Sequence, residues 1–264
     1  ARTGRKPCLA IVNVGEKDPN GQTRLKLFAE KERSWFDKAA LCESVGIDTR
    51  RVELPASSSF GRVHDALMSL NRDDGVDAIL LERPLPPQLD AELLGSVIVA
   101  SKDDEVVGHP PRVPWTLPTA LVLPCTVEGV MQLLLRSGAM PSVTRGLSVV
   151  VGRSRKLGAP LALALMQADA TVAVCHSRTS EEELRSLCLQ ADTLFVCAGS
   201  PHLISKDMVK KGAIVINVGT TFSSSLSSLL PDVQEDVADV ARVLTPTPHG
   251  VGPTCAAALT LNVV

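Results

Sequence analysis

The chain has 264 residues, 45% of them hydrophobic, and a formal net charge of −2 at pH 7. That length suits one large domain or two small ones with adequate cores, and the near-neutral charge excludes a general affinity for nucleic acid or for a membrane surface. Every long apolar run is broken well before the roughly 20 residues that a membrane helix requires, and the seven cysteines lack metal-site spacing. Cys42, Cys175, Cys188 and Cys197 lie in apolar surroundings and read as buried thiols of a reducing compartment. The cytoplasm is expected, with the mitochondrial matrix or another reducing organelle as alternatives. No signal peptide is visible, and the opening Ala1-Arg2-Thr3-Gly4-Arg5-Lys6 fits a beginning that has been trimmed.

In chain order, Cys8–Val14 reads as a first buried strand, ending at Gly15. Glu16–Arg33 is polar and helix-permissive, with a turn at Asp18-Pro19-Asn20-Gly21. Ser34–Ile47 reads as an amphipathic helix stopped by Gly46, with Phe36, Ala39, Ala40 and Val45 on its buried side and Lys38 at the margin. Arg51–Leu54 is a short strand and Ser57–Leu70 a second amphipathic helix. Ala78–Leu81 is a third strand, entering Glu82-Arg83-Pro84-Leu85-Pro86-Pro87. This alternation implies a parallel sheet covered on both faces. An acidic loop, Lys102–Gly108, follows. Thr126 suits an N-cap for a helix over Gly129–Arg136, closed by Ser137-Gly138, and Ser137–Arg145 reads as a linker between domains.

Val149-Val150-Val151-Gly152 then ends a strand in a basic loop, Arg153-Ser154-Arg155-Lys156, before Gly158 and Pro160 open an Ala/Leu-rich helix. Thr171–Val174 supplies the next parallel strand. Backbone N–H groups at such a turn suit a phosphate. A dinucleotide with a free ribose 2′-OH calls for Asp or Glu at the end of the second strand. Here that end reads Cys175-His176-Ser177-Arg178, opposite Arg153 and Arg155, a set suited to a 2′-phosphate and hence to NADP. Ser180-Glu181-Glu182-Glu183 opens a helix, Ala191–Gly199 is a strand, and Ile204–Lys210 a short helix. Gly212–Gly219 is the last long strand, running into Thr220-Thr221, with the Ser-rich loop Ser223–Ser228 behind it. The prolines and glycines of Thr245–Thr254 fix a tight loop whose backbone can approach a ligand, and the chain stops within the helix that follows.

Gly152-Arg153-Ser154-x-x-x-Gly158-x-Pro160, followed by Ala170-Thr171-Val172-x-x-Cys175-His176-Ser177-x-Thr179, resembles the signature of the bifunctional methylenetetrahydrofolate dehydrogenase/cyclohydrolases. Further matches run from about Pro7 to the last residue. The resemblance implies an α/β protein of two domains with a ligand cleft between them. Residues 1–140, with a returning tail at 250–264, would form a parallel-sheet catalytic domain, and 141–249 a Rossmann-like NADP domain. It makes Lys38, eight residues before Gly46, the catalytic lysine, facing the cleft. The family pairs that lysine with a tyrosine where this chain has Ser34, and with a glutamine in Val-Gln-Leu-Pro-Leu-Pro where this chain has Glu82. A neutral amide lets the pKa of a desolvated lysine fall, whereas the Glu82 carboxylate would hold Lys38 charged, and Ser34 cannot stack on a flat heterocycle.

The acidic stretch resembles the family's Lys-Asp-Val-Asp-Gly, whose last Asp binds the pterin edge. Counted back from Gly108 that position is Val107, and a shifted register brings Asp104 or Glu105 into it. Pro124-Cys125-Thr126 resembles Pro-Cys-Thr at the head of the interdomain helix. The nucleotide would be held by Gly152, Arg153, Ser154, Gly158, Pro160, His176, Ser177, Gly219 and Thr220, and the folate by the loop residues Pro248, Gly250, Gly252 and Pro253, with His249 in place of a glycine. The implied reaction is NADP-dependent oxidation of 5,10-methylenetetrahydrofolate, with weakened hydrolysis of the methenyl product to 10-formyltetrahydrofolate. The expected partners are the folate and, in a homodimer, a second copy of the chain; no metal is expected. The alternative is a nucleotide-binding member of the family that has lost folate chemistry and serves as a scaffold or regulatory subunit.

Overall fold

A computed structural model describes residues 4–15, 37–83, 85–105, 123–223 and 228–263. Ser34, Val107, Phe36, Pro84 and the segment Glu16–Arg33 lie outside the described residues. The chain divides into two compact units, one of Ala1–Cys125 with Ala256–Val264 and one of Thr126–Cys255. The first division therefore comes before residue 140, and the tail that returns begins at Ala256 rather than at 250. A continuous helix over Cys125–Arg136 explains the earlier division, since a Cβ on its Gly129 would meet the Cys255 backbone nitrogen at 2.8 Å within the second unit. Among the described residues no helix is long and apolar enough to cross a membrane.

In the first unit β1 (Cys8–Gly15) is the middle of a three-stranded sheet, flanked by β2 (Asp48–Pro55) and β3 (Ala78–Leu81), both parallel to it. Its nearly unbroken apolar run is what a strand covered on both faces requires. Leu9 and Ile11 pack with Ala39 and Cys42 of α1 (Lys38–Ser44) and with Ala258, Leu259 and Val263 of the tail. Ala10, Val12 and Val14 pack on the other face with Val63, Leu67 and Leu70 of α2 (Phe60–Arg72). Those three α2 residues fall on one helical face. Each contributes about 1.5–3 kcal/mol on burial, against about 1 kcal/mol for a cap, so packing decides where α2 lies. The cap is Ser59, whose Oγ accepts from the Arg62 N–H, and this starts α2 later than Ser57. On α1 the buried side is Ala39 and Cys42; Ala40 and Val45 are exposed, because the helix ends at Ser44 and Val45 is already its C-cap. A short α3 (Ala91–Gly95), capped by Asp90, follows β3.

The second unit opens with α4 (Cys125–Arg136), which begins one residue before Thr126 and so takes that residue into its first turn instead of leaving it as a cap. The stretch read as a linker contains α5 (Met140–Arg145), with Pro141 in the first turn, where a missing N–H costs nothing. Then β4 (Leu147–Val151), α6 (Gly158–Gln167), β5 (Thr171–Cys175), α7 (Glu181–Gln190) and β6 (Thr193–Val196) alternate as the sequence suggests. Ile204–Lys210 shrinks to one 3₁₀ turn at Lys206–Met208. β7 (Ile214–Asn217) follows. Thr220–Ser223 and Ser228–Pro231 pair antiparallel as β8 and β9 around the Ser-rich run, of which 224–227 lie outside the described residues. After β10 (Val243–Leu244) the chain enters α8 (Val251–Val263). The five-stranded parallel sheet has the order β10-β7-β6-β4-β5. Val149, Val150, Leu194, Phe195 and Val196 of its central strands are 0% exposed. In register, Val151 of β4 stands beside Cys175 of β5 and Val196 of β6, so three strand ends share one edge of the sheet.

Cys42, Cys125, Cys175, Cys188 and Cys197 are buried. Burial pushes the Cys42 thiol up to about 11 and those of Cys188 and Cys197 up to about 12.

Candidate active site and nucleotide site

At the shared strand edge the chain leaves β4 through Gly152, at φ +130°. A Cβ there would approach the Cys197 carbonyl oxygen to 2.5 Å, and a Cβ on Gly158 would approach the Gly152 carbonyl oxygen to 2.2 Å. Backbone therefore lies directly on backbone, which only glycine permits, and the first turn of α6 is drawn up to the strand ends. Beside them opens a cavity of about 550 Å³ lined in part by Arg153, Ser154, His176, Ser177, Ala198 and Ser200. That size falls within the roughly 300–1,000 Å³ range of cofactor sites. His176 is held in a tight turn: its N–H donates to Thr179 Oγ1 at 2.9 Å and its Nδ1 accepts from the Arg178 N–H at 3.2 Å. An accepting Nδ1 puts the ring proton on Nε2. Pro160 is buried in α6, and Gly219 and Thr220 lead into β8. Sequence reasoning missed one lining carboxylate, Glu181 in the first turn of α7. The acidic start of that helix was the signal for it.

The first unit gathers a different set. Asp37 caps α1, its side chain accepting from the Ala39 and Ala40 N–H groups, and ion-pairs with Arg51 at 3.0 Å. Lys38 is thereby fixed at the head of the helix, where its Nζ lies 3.7 Å from Glu82 Oε1 and 3.9 Å from Glu105 Oε1. Burial alone would depress the Lys38 pKa, but Glu105 and then Glu82 outweigh it, and the net shift is upward. Of the two acids left open by the register, Glu105 pairs with Lys38, whereas Asp104 is turned inward at 2% exposure. Neither Asp104 carboxylate oxygen has a hydrogen-bond partner. Its pKa stands well above the usual carboxylate range, through burial first and the neighbouring Glu105 charge second. Arg83, on the strand-to-helix connection, donates to the Ala91 carbonyl at 3.0 Å, while its Nε is buried without a partner.

The Pro/Gly loop is tied to the end of β7. Asn217 donates its N–H to Thr245 Oγ1 and its Nδ2 to Thr247 Oγ1, each at 2.8 Å. Pro248 follows a cis bond, and His249 is exposed at φ +72°, keeping the left-handed backbone that a glycine would adopt there. Gly250 is close-packed: a Cβ on it would lie 2.3 Å from the Pro246 carbonyl oxygen. Gly252 and Pro253, expected in the loop, lie in the first turn of α8, because helical structure begins at Val251. The predicted residues thus fall into three groups: Lys38 with Glu82, the strand-edge set around Arg153 and Ser177, and the Asn217-tethered loop. Among the described residues no cluster of side chains could hold a metal ion.

The comparisons with known proteins cover both units. The family described as tetrahydrofolate dehydrogenase/cyclohydrolase, catalytic domain, matches residues 1–105, and its NAD(P)-binding domain matches residues 124–264. The bifunctional protein FolD of Nitratidesulfovibrio vulgaris is 40% identical over 271 residues, spanning 100% of this chain and 88% of the relative. That of Methanospirillum hungatei is 38% identical over 262 residues, spanning 98% and 87%. The crystal structure of the Campylobacter jejuni bifunctional enzyme FolD aligns with a TM-score of 0.81 at 32% identity, over 99% of this chain and 88% of that one. The Trypanosoma brucei methylenetetrahydrofolate dehydrogenase-cyclohydrolase, solved with NADP and an inhibitor, aligns with a TM-score of 0.82 at 30% identity, over 98% and 86%. With relatives this similar along its whole length, the chain belongs to the tetrahydrofolate dehydrogenase/cyclohydrolase family.

Proposed function

We infer that this chain oxidises 5,10-methylenetetrahydrofolate with NADP+ and hydrolyses the methenyl product to 10-formyltetrahydrofolate. The observation that carries the reading is the strand-edge cavity. Gly152 and Gly158 let backbone close on backbone at the strand edge beside it, Arg153 and Ser177 line it, and the β5 end offers no carboxylate that would repel a 2′-phosphate. The residues fit the cofactor: Arg153, Ser154, His176 and Ser177 would hold its adenosine half. NADP+ supplies the hydride acceptor. The protein's own part is to hold the dinucleotide, orient the folate and manage a proton. Lys38 does the last of these: its neutral amine takes up the proton that hydrolysis of the methenyl bridge releases, and Glu105 and Glu82, by holding it as a cation, keep that form scarce near neutral pH.

Purified protein should reduce NADP+ in the presence of methylenetetrahydrofolate and do so far more slowly with NAD+. NADP+ binding without turnover would instead favour the scaffold reading, which the family relationship to bifunctional enzymes does not favour. A homodimer is the assembly we expect, and the edge strand β5, with Thr171 and Val174 exposed, supports it. Sedimentation at micromolar concentration tests it. The buried thiols of Cys42, Cys175, Cys188 and Cys197 suit the cytoplasm or another reducing compartment.

A further inference from the structure

The loop leaving β6 forms one wall of the nucleotide cavity, with Cys197, Ala198 and Ser200 lining it. Its shape is set from behind. Asp232, just after β9, is 0% exposed, and its Oδ2 accepts from the N–H groups of Ala198 and Gly199, each at 2.8 Å. Successive N–H groups around a left-handed residue form a concavity that attracts an anion. Gly199 is such a residue, at φ +65°. The chain's own carboxylate fills the concavity, and the Ser200 N–H also stabilises its charge.

The same hairpin holds Gly199 a second time, through Thr221 Oγ1, which donates to the Gly199 carbonyl at 3.2 Å. Room for the carboxylate exists only because residue 219 is glycine: a Cβ there would lie 1.9 Å from Asp232 Oδ2. Asp232 is itself anchored, its N–H donating to Gly219 O and to Asn217 Oδ1 at 3.2 Å. Its Oδ1 has no partner. A buried carboxylate oxygen left unsatisfied is costly, and a carboxylate that served only as a surface cap would not carry that cost.

We propose that Asp232 is a positioning residue for the nucleotide, acting through the Ala198 and Gly199 amides to fix the cavity wall against which the dinucleotide lies. The proposal rests on the NADP reading above. Its test compares the full-length wild type with Asp232→Ala and Asp232→Asn, using calorimetric NADP+ binding and steady-state kinetics. Asp232→Ala raises the Kd and KM for NADP+ by about tenfold or more, with kcat and the KM for methylenetetrahydrofolate within about twofold of wild type. Asp232→Asn, whose side-chain amide oxygen can take the place of the Asp232 Oδ2 and accept from both amides, stays within about threefold of wild type for NADP+. Hydrogen exchange at the Ala198 and Gly199 amides accelerates in Asp232→Ala alone.

Should Asp232→Ala fail to fold, Thr221→Val removes only the tether to the Gly199 carbonyl and gives a smaller rise in the NADP+ KM. Unchanged NADP+ affinity in Asp232→Ala and Thr221→Val overturns the proposal. So does an Asn variant as damaged as the Ala variant, or a parallel loss of kcat and of both KM values. A wild type that binds no NADP+ overturns the cofactor reading itself, a result distinct from equal binding by wild type and variant.

Discussion

Lys38 keeps its proton because two carboxylates outweigh the burial that would remove it, and this decides what the lysine can do near neutral pH. A raised pKa means that the neutral amine appears only as the solution becomes alkaline, so methenyl hydrolysis is expected to climb with pH while hydride transfer does not. Glu82→Gln removes one of the two charges and should move that limb to lower pH, raising the hydrolysis rate about tenfold for each unit by which Lys38 falls. Glu105 remains, so the recovery is partial. Methenyl absorbance and NADPH formation followed together give both rates. A limb that does not move would show that Glu82 has no hold on Lys38. At the nucleotide, Arg153→Ala should weaken NADP+ by about 1–3 kcal/mol, the cost of leaving a charged phosphate without its partner, and leave NAD+ unaffected. Equal losses for the two dinucleotides would place Arg153 away from the 2′-phosphate.

At the scale of elements, the segment after α3 carries a conflict that selection for stability alone would remove. Asp104 is buried with both oxygens unpartnered, and its pKa is raised in the folded protein by burial and by Glu105. A raised carboxyl pKa means that the folded state binds a proton more tightly than the unfolded one. Stability is then lost as pH rises from the unfolded value near 4 through the folded one. Asp104→Val should therefore raise stability by about 1–3 kcal/mol where wild-type Asp104 would be ionised. The gain should be smaller at pH 4.5 than at pH 8, as urea unfolding at the two values will read. A gain that ignores pH would mean that the carboxyl is already ionised in the folded state.

Elements also divide what could be read in the sequence from what could not. β1, β3 and the β4–α6–β5 unit announce themselves, because unbroken β-branched runs and Gly-bounded Ala/Leu stretches leave few other conformations. The β8–β9 hairpin does not, since serines carry no alternation of apolar and polar residues, and neither does α5, whose six residues are too few for a helical period. The pairing of Lys38 with Glu105 joins residues from separate elements, and only the fold could choose between Glu105 and Asp104. Asp232 gave one unheeded signal: a lone carboxylate in the apolar run Leu229-Leu230-Pro231-Asp232-Val233.

For the whole molecule, the buried cysteines offer a clock. Cys42 is locked in the first unit and Cys188 in the second, each 0% exposed, with thiols whose proton affinity leaves almost no thiolate at neutral pH. Neither can meet an alkylating reagent until its own unit opens. Pulse alkylation with mass spectrometry should therefore give two independent opening rates from one unmodified protein, Cys42 timing one unit and Cys188 the other. Saturating NADP+ should slow the Cys188 rate and, if the units open independently, leave that of Cys42 where it was. Equal slowing of both would mean that the two units unlock as one.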